Sequence, residues 1–277
     1  PTGYKPEIRP QLVGEMKQAW QDGFDEVRKR FEASGDGHRA IAENSFLVDQ
    51  LVRILFDMAT WRVYRAPNLS KAEKMSVVAV GGYGRSTLAP FSDVDLLFLM
   101  PYKETPYIEQ IVEFMLYMLW DLHLKVGHSS RTIKDCLRLG KEDFTIRTAM
   151  LEVRYVDGDF DLAQELAARL FDDLFDGTAP EFIEAKLEER TQRHKKQGGQ
   201  RYVVEPNVKE GKGGLRDLQT LIWVAKYLHR VVRARELRDV GMFTDEEYAN
   251  FAEANNFLWA VRCHLHLIAG RAMDQLT

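Results

Sequence analysis

The sequence predicts an α+β fold: a small mixed β-sheet embedded in a largely helical chain, with a helical lobe towards the C-terminal end. Three observations carry this. Apolar residues recur at helical spacing over residues 10–33, 40–65 and 106–119, and again beyond residue 140. Two short apolar runs, 76–80 and 94–100, have the length and composition of strands. Glycine clusters at 81–84 and 211–214 mark sharp changes of chain direction.

Taken in order, residues 10–33 and 40–65 read as amphipathic helices separated by the turn Ser34-Gly35-Asp36-Gly37. A polar loop over 66–74 closes this block. Residues 76–80 form a strand that leads into Gly81, Gly82 and Gly84, and 94–100 form a second strand. Pro106 opens a helix, a position where its missing N–H costs nothing, with Ile108, Ile111, Val112, Met115, Leu116 and Leu119 on one face. Over 121–126, Leu122, Leu124 and Val126 alternate with Asp121, His123 and Lys125, the pattern of a half-buried strand. Helical stretches follow near 143–151, 160–176 and 180–197. An irregular basic loop covers 197–214, and a helix starts at Leu215 with Leu218, Leu221, Ile222, Ala225 and Leu228 apolar. Thr244 and Glu247 form a capping box for the last helix. Three regions result: an N-terminal helical region 1–70, a sheet-bearing core 71–140, and a helical domain 141–277. A cleft is expected between two lobes of one body.

Composition narrows the function classes. A chain of 277 residues, 45% hydrophobic and 29% charged, can bury a sizeable core. Net charge is −4, so the whole molecule is no general polyanion binder. Cys136 and Cys263 are too far apart for a metal-binding pair, which favours reduced thiols. No apolar run approaches the roughly 18 residues of a spanning helix. The opening PTGYKPEIRP lacks an apolar core, so a cytoplasmic location is expected. Charge is uneven, however: residues 186–235 hold 13 Lys/Arg against 5 Asp/Glu. Such a stretch is either solvated helix faces or a site for an anion such as a nucleoside triphosphate.

The stretch GGYGRSTLAPFSDVDLLFLM, residues 81–100, combines a glycine turn with two aspartates. Alternate strand residues share a face, so Asp93 and Asp95 project together while Val94, Leu96 and Phe98 enter the core. Two carboxylates side by side repel unless a cation sits between them, and hard oxygen ligands suit Mg²⁺ held jointly with substrate phosphates. Gly81 and Gly82 let backbone N–H groups approach a phosphate chain. GGYGRS has neither a P-loop ending nor the third glycine of a dinucleotide fingerprint.

Strand, Gly-Gly turn, then Asp-x-Asp at the head of an apolar strand resembles the signature of the polymerase-β-like nucleotidyltransferase superfamily. The resemblance implies a small mixed sheet with flanking helices. It implies that Gly81, Gly82 and the nearby Arg85 and Ser92 contact the triphosphate, and that Asp93 and Asp95 bind Mg²⁺ with a third carboxylate from a neighbouring strand. Asp121 is the expected third carboxylate and Glu152 the runner-up.

A second stretch, EPNVKEGKGGLRDLQTLIWVAKY over 205–227, places Lys209, Lys212 and Arg216 around the loose Gly211, Gly213 and Gly214 at a helix start. Exposed amides and partial positive charge there suit an anion. Together with WDLHLKVGHSSRT it resembles the bacterial PII uridylyltransferase/uridylyl-removing family, and less closely the glutamine-synthetase adenylyltransferases, whose Asp-x-Arg-x-Arg-Pro pattern is absent. The resemblance implies transfer of UMP from UTP to a tyrosine of the signalling protein PII, with two Mg²⁺ ions on Asp93, Asp95 and Asp121. Lys212, Gly213, Gly214, Arg216 and Asp217 are implied as nucleotide contacts. Relatives continue into a hydrolase domain with a His-Asp motif and two ACT domains. No His-Asp dipeptide occurs here, so the chain is expected to hold the transferase part alone. The alternatives are an adenylyltransferase and a non-catalytic nucleotide-binding module. Nucleic acid is not expected as a partner, since no stacking aromatics are interleaved with the basic stretch, and a membrane is not expected because no apolar run is long enough to span one.

Overall fold

The computed structural model describes residue 7 and residues 9–197, 204–230 and 235–277. The middle of the basic loop, 198–203, lies outside the described residues. Helices α1 (Arg9–Ser34) and α2 (Gly37–Met58) pack against each other where the sequence reads two amphipathic helices. Asp36 ends the turn between them, its carboxylate accepting from the Arg39 amide at 3.0 Å. Such a cap satisfies one of the orphan donors at a helix start.

Strand β1 (Ser76–Ala79) enters a single helical turn, α3 (Gly81–Gly84), and β2 (Val94–Met100) returns antiparallel to β1. Helix α4 (Pro106–Asp121) then crosses to β3 (Val126–Thr132), which lies parallel to β2. Helices α5 (Ile133–Glu142) and α6 (Phe144–Met150) lead to β4 (Arg154–Gly158), antiparallel to β1. The sheet order is β3-β2-β1-β4, a small mixed sheet as expected. Helices α7 (Phe160–Leu170), α8 (Ala179–Lys196), α9 (Leu215–His229), α10 (Glu236–Asp239) and α11 (Asp245–Ala269) complete the chain.

Both sheet faces are covered, which is why β2 reads as an unbroken apolar run. Leu96, Phe98 and Met100 pack with Val48, Val52 and Leu55 of α2 and with Ile108, Ile111 and Met115 of α4. Leu97 and Leu99 turn the other way, to Cys136, Leu137, Leu166, Leu170, Phe182 and Tyr227. Asp95 shares parity with Leu97 and Leu99, so it faces the side of the C-terminal helices. Helix α11 folds back on the N-terminal pair, where Trp259 and Cys263 meet Phe31 and Ile41. No helix among the described residues is long and apolar enough to cross a membrane.

Two readings need correction. Residues 121–126 are not a strand. Helix α4 runs through Asp121, His123 takes the left-handed conformation (φ 61°), and the Leu124 amide reaches back to the Leu119 carbonyl at 3.1 Å. This helix-ending motif pairs an apolar residue past the end with one inside the helix, which mimics strand alternation. The strand is instead the polar run Val126–Thr132, held by pairing with β2 rather than by its own propensity. The sheet also extends past residue 140, because β4 supplies its fourth strand.

Candidate active site

The turn from β1 into α3 needs a left-handed residue, and Gly81 supplies it with φ 58°. The Val80 amide bonds the Asp95 carbonyl at 3.1 Å, which fixes the glycine turn beside the head of β2. Val80 caps α3 without a side-chain acceptor, so the first amides of this turn have no helical partner. Gly81, Gly82, Arg85, Ser92, Asp93 and Asp95 all line one cleft of about 360 Å³ between the sheet and the C-terminal helices.

Asp93 and Asp95 have no hydrogen-bond or ion-pair partner for their carboxylates among the described residues. Burial raises the Asp95 carboxyl above its ordinary value, and the charge of Asp93 raises it further, against a smaller opposing pull from Lys209. Gly127 stands directly opposite Asp95 on β3. A Cβ there would lie 2.4 Å from Asp95 Oδ1, so only glycine leaves room for the carboxylate where it is. The hydroxyl of Ser92, one residue before Asp93, is buried without a partner among the described residues.

The same cleft is lined by cations, one from the glycine turn and two from the C-terminal helices. Three positive side chains gather over the ring of Trp223: Arg85 at 5.7 Å, Lys186 at 5.3 Å and Arg216 at 5.3 Å from its centroid. Burial lowers the Arg85 pKa, yet a guanidinium stays charged at neutral pH. Arg216 is aimed by Gln219 and Glu210, each at 3.2 Å. Lys186 also pairs with Glu189 at 2.5 Å, as Arg216 does with Glu210, so the protein's own carboxylates offset part of this charge, and a cleft that keeps several cations this close attracts an anion.

The 204–217 stretch is bound to the chain's last residues. Asn207 Oδ1 accepts from the amides of Lys209 and Glu210, and the Val208 amide donates to the Asp274 carbonyl at 2.8 Å. The Asp274 carboxylate in turn accepts from Arg262 at 2.7 Å and contacts His266 Nε2 at 2.9 Å, with Lys209 at 3.8 Å. Burial alone would raise the Asp274 carboxyl, but the His266 hydrogen bond and the Arg262 charge outweigh it and hold it far below the usual range. Burial, then the charge of Arg262, lowers the Lys209 ammonium. Lys209, Arg262 and Asp274 all line the cleft.

The expected site residues therefore divide. Gly81, Gly82, Arg85, Ser92, Asp93, Asp95 and Arg216 come together, with Glu152. Lys212, Gly213 and Gly214 lie outside the cleft lining, as does Asp217. Asp217 points to α8 instead, where it takes Arg193, His194 and the Gly213 amide and so pins the loop to that helix. Asp121 is not brought to the cleft either. It ends α4, half exposed, in an ion pair with Arg9 at 2.8 Å. The strands beside β2 carry no carboxylate, so no third acid reaches Asp93 and Asp95 from a neighbouring strand. Lys186, Trp223, Trp259, Arg262 and Asp274 were not legible as site residues, because each sits in an ordinary helical pattern or a short tail.

The fold family implies Mg²⁺, and the donor set fits it. Two unpartnered carboxylates, one with a raised pKa, line a cleft that also holds the cations for a phosphate chain. Among the described residues no group of three His, Cys, Asp or Glu forms a complete protein cage. That suits an ion which keeps waters and substrate oxygens as ligands.

The chain is similar to known proteins over most of its length. A nucleotidyltransferase-domain family model matches residues 67–156, and a GlnD PII-uridylyltransferase model matches 181–277. A bifunctional uridylyltransferase/uridylyl-removing enzyme of Cereibacter sphaeroides is 57% identical over 266 residues, covering 91% of this chain and 29% of that protein. One from Azospirillum brasilense is 52% identical over 276 residues, covering 100% and 29%. One from Ruegeria pomeroyi is 58% identical over 233 residues, covering 84% and 26%. The chain thus spans under a third of the length of these relatives.

Proposed function

We propose that this chain, which belongs to the GlnD PII-uridylyltransferase family, transfers UMP from UTP to a tyrosine hydroxyl of a PII-type signalling protein and releases pyrophosphate. One observation carries the reading. Two unpaired carboxylates at the head of β2 share a cleft with three clustered cations beside a glycine turn.

Each part of the cleft has a task in that reaction. Arg85, Lys186 and Arg216 draw in the triphosphate and hold its negative charge. Gly81 and Gly82 give it close approach to the backbone, and the Ser92 hydroxyl is free to hydrogen-bond a phosphate oxygen. Asp93 and Asp95 would hold Mg²⁺, which when bound neutralises the triphosphate and makes the acceptor hydroxyl easier to deprotonate. Asp274, itself held by Arg262, keeps Lys209 at the cleft, where its ammonium faces the same anion. The loop ties from Asp217 to α8 stop the cation-bearing start of α9 from moving away.

The test is direct. The chain is incubated with a purified PII protein, Mg²⁺ and one α-labelled nucleoside triphosphate at a time. Label on PII from UTP alone is expected. Label from ATP on glutamine synthetase instead would favour the adenylyl branch, and no label on any acceptor with intact nucleotide binding would favour a non-catalytic module.

A further inference from the structure

Two polar groups in the cleft wall are buried and have nothing to bond among the described residues. Glu152 is 2% exposed; its Oε2 takes Lys226 Nζ at 3.0 Å, and its Oε1 has no partner. Trp223 is 4% exposed, and its Nε1–H has no acceptor. Leaving such groups unpaired in a folded protein is costly, so each is a place where a bound molecule gains. Gln219 stands one turn before Trp223 on α9, and Lys226 falls a further turn on, so all three lie on one face of that helix. The Gln219 oxygen is spent on Arg216, which leaves its amide N–H groups to offer. Glu152, Gln219 and Trp223 all line the cleft that holds Asp93 and Asp95.

The residues that line the cleft therefore carry an unbonded buried acceptor, Glu152 Oε1, an unbonded buried donor, Trp223 Nε1, and a second donor, Gln219 Nε2. We propose that these three groups select the nucleobase, reading an N–H flanked by two carbonyls. This inference rests on the nucleotidyl-transfer reading above. Uracil offers that edge as O4, N3–H and O2. Cytosine replaces O4 with an amine and N3–H with a bare nitrogen, which sets acceptor against acceptor at Glu152 and donor against donor beside it. Adenine has the same conflict at its bare N1. Rejection is strong in such a site because a wrong base leaves the buried groups unpaired. Lys226 is the positioning residue: its ammonium holds Oε2 and so fixes where Oε1 points.

The experiment measures binding of UTP, CTP and inorganic tripolyphosphate to the 277-residue chain with Mg²⁺ and no acceptor, by equilibrium dialysis. The unaltered chain should bind UTP at least about tenfold tighter than CTP. In Glu152→Gln the amide oxygen stays on Lys226, so an N–H replaces the oxygen in the cleft. UTP should then weaken at least about tenfold while CTP holds or tightens, and tripolyphosphate should not change. A metal-ligand role for Glu152 would weaken all three together, and that result overturns the proposal. Trp223→Phe keeps a ring for the cations but removes the donor. It should weaken UTP roughly three- to tenfold with tripolyphosphate unaffected, and it decides the matter if the Glu152→Gln variant does not fold. Equal binding of UTP and CTP by the unaltered chain sinks the base-reading claim yet leaves nucleotide transfer standing. Failure to bind any of the three, tripolyphosphate included, sinks the transfer reading itself and this inference with it.

Discussion

Gly127→Ala separates the position of a carboxylate from its presence. The added Cβ would stand 2.4 Å from Asp95 Oδ1. A carbon–oxygen contact relaxes to about 3.3–3.6 Å, so the carboxylate must retreat by roughly 1 Å. The Asp95 backbone cannot follow, because β2 is held between β1 and β3. The retreat falls on the side-chain torsion, which costs the fold little. Gly127 is not among the glycines with positive φ, so alanine suits its backbone, and losing glycine's freedom in the unfolded chain stabilises by about 0.4–1 kcal/mol. A misplacement of about 1 Å at a reacting centre costs on the order of 10²-fold in rate, which is about 2.7 kcal/mol of barrier. The expected signature is thus an unfolding midpoint that is unchanged or higher, with UMP transfer to PII down about a hundredfold. Both are read on one preparation, by thermal melting and by labelled transfer at saturating UTP. Transfer within about threefold of the unaltered chain, at full stability, would refute the idea that Asp95 acts from the position the structure gives it.

Asp93→Asn and Asp95→Asn should each cut transfer by roughly 10²–10⁴-fold with the fold intact, since losing one metal ligand removes several kcal/mol of charge stabilisation; near-normal turnover with unchanged Mg²⁺ dependence would count against the site. Asp121→Asn should leave transfer within about twofold and cost under about 1 kcal/mol, the worth of an exposed ion pair with Arg9; a large loss of turnover would return Asp121 to the chemistry. Asp274 has a folded pKa below its unfolded value of 3.8, so its contribution to stability is complete above that range and is lost as pH falls through it. The melting difference between the unaltered chain and Asp274→Asn should therefore be largest near neutral pH and shrink from about pH 5 to about pH 3; a difference that grows on acidification would show the sign to be wrong.

Local chemistry made the two ends of the site legible. A glycine turn and, about ten residues on, Asp-x-Asp at the head of an apolar strand follow from strand parity and backbone sterics, both set within a few residues. The helices on either side followed from apolar spacing, including the Pro106 start and the Thr244 cap. Parity also placed Leu96 and Phe98 in one core and left Asp95 facing the other way. Asp121 shows where this stops. Its alternating neighbours have the period of a strand, but Leu124 is the apolar closure of a helix end, and over 121–126 the two patterns coincide. Val126–Thr132, polar from His128 onward, becomes a strand only because β2 offers it a ladder.

The rest of the cleft belongs to tertiary structure alone. Lys186, Arg216, Trp223 and Arg262 come from three helices and Asp274 from the tail, and no spacing links them. Their meeting depends on α11 folding back onto α1 and α2, contacts that span most of the chain, and on the Asn207–Gln275 bridge, which ties the tail to the 204–217 stretch. The same holds for the unpaired atoms of Glu152 and Trp223. Sequence shows a carboxylate and an indole, but whether each has a partner depends on which side chains packing has brought within reach.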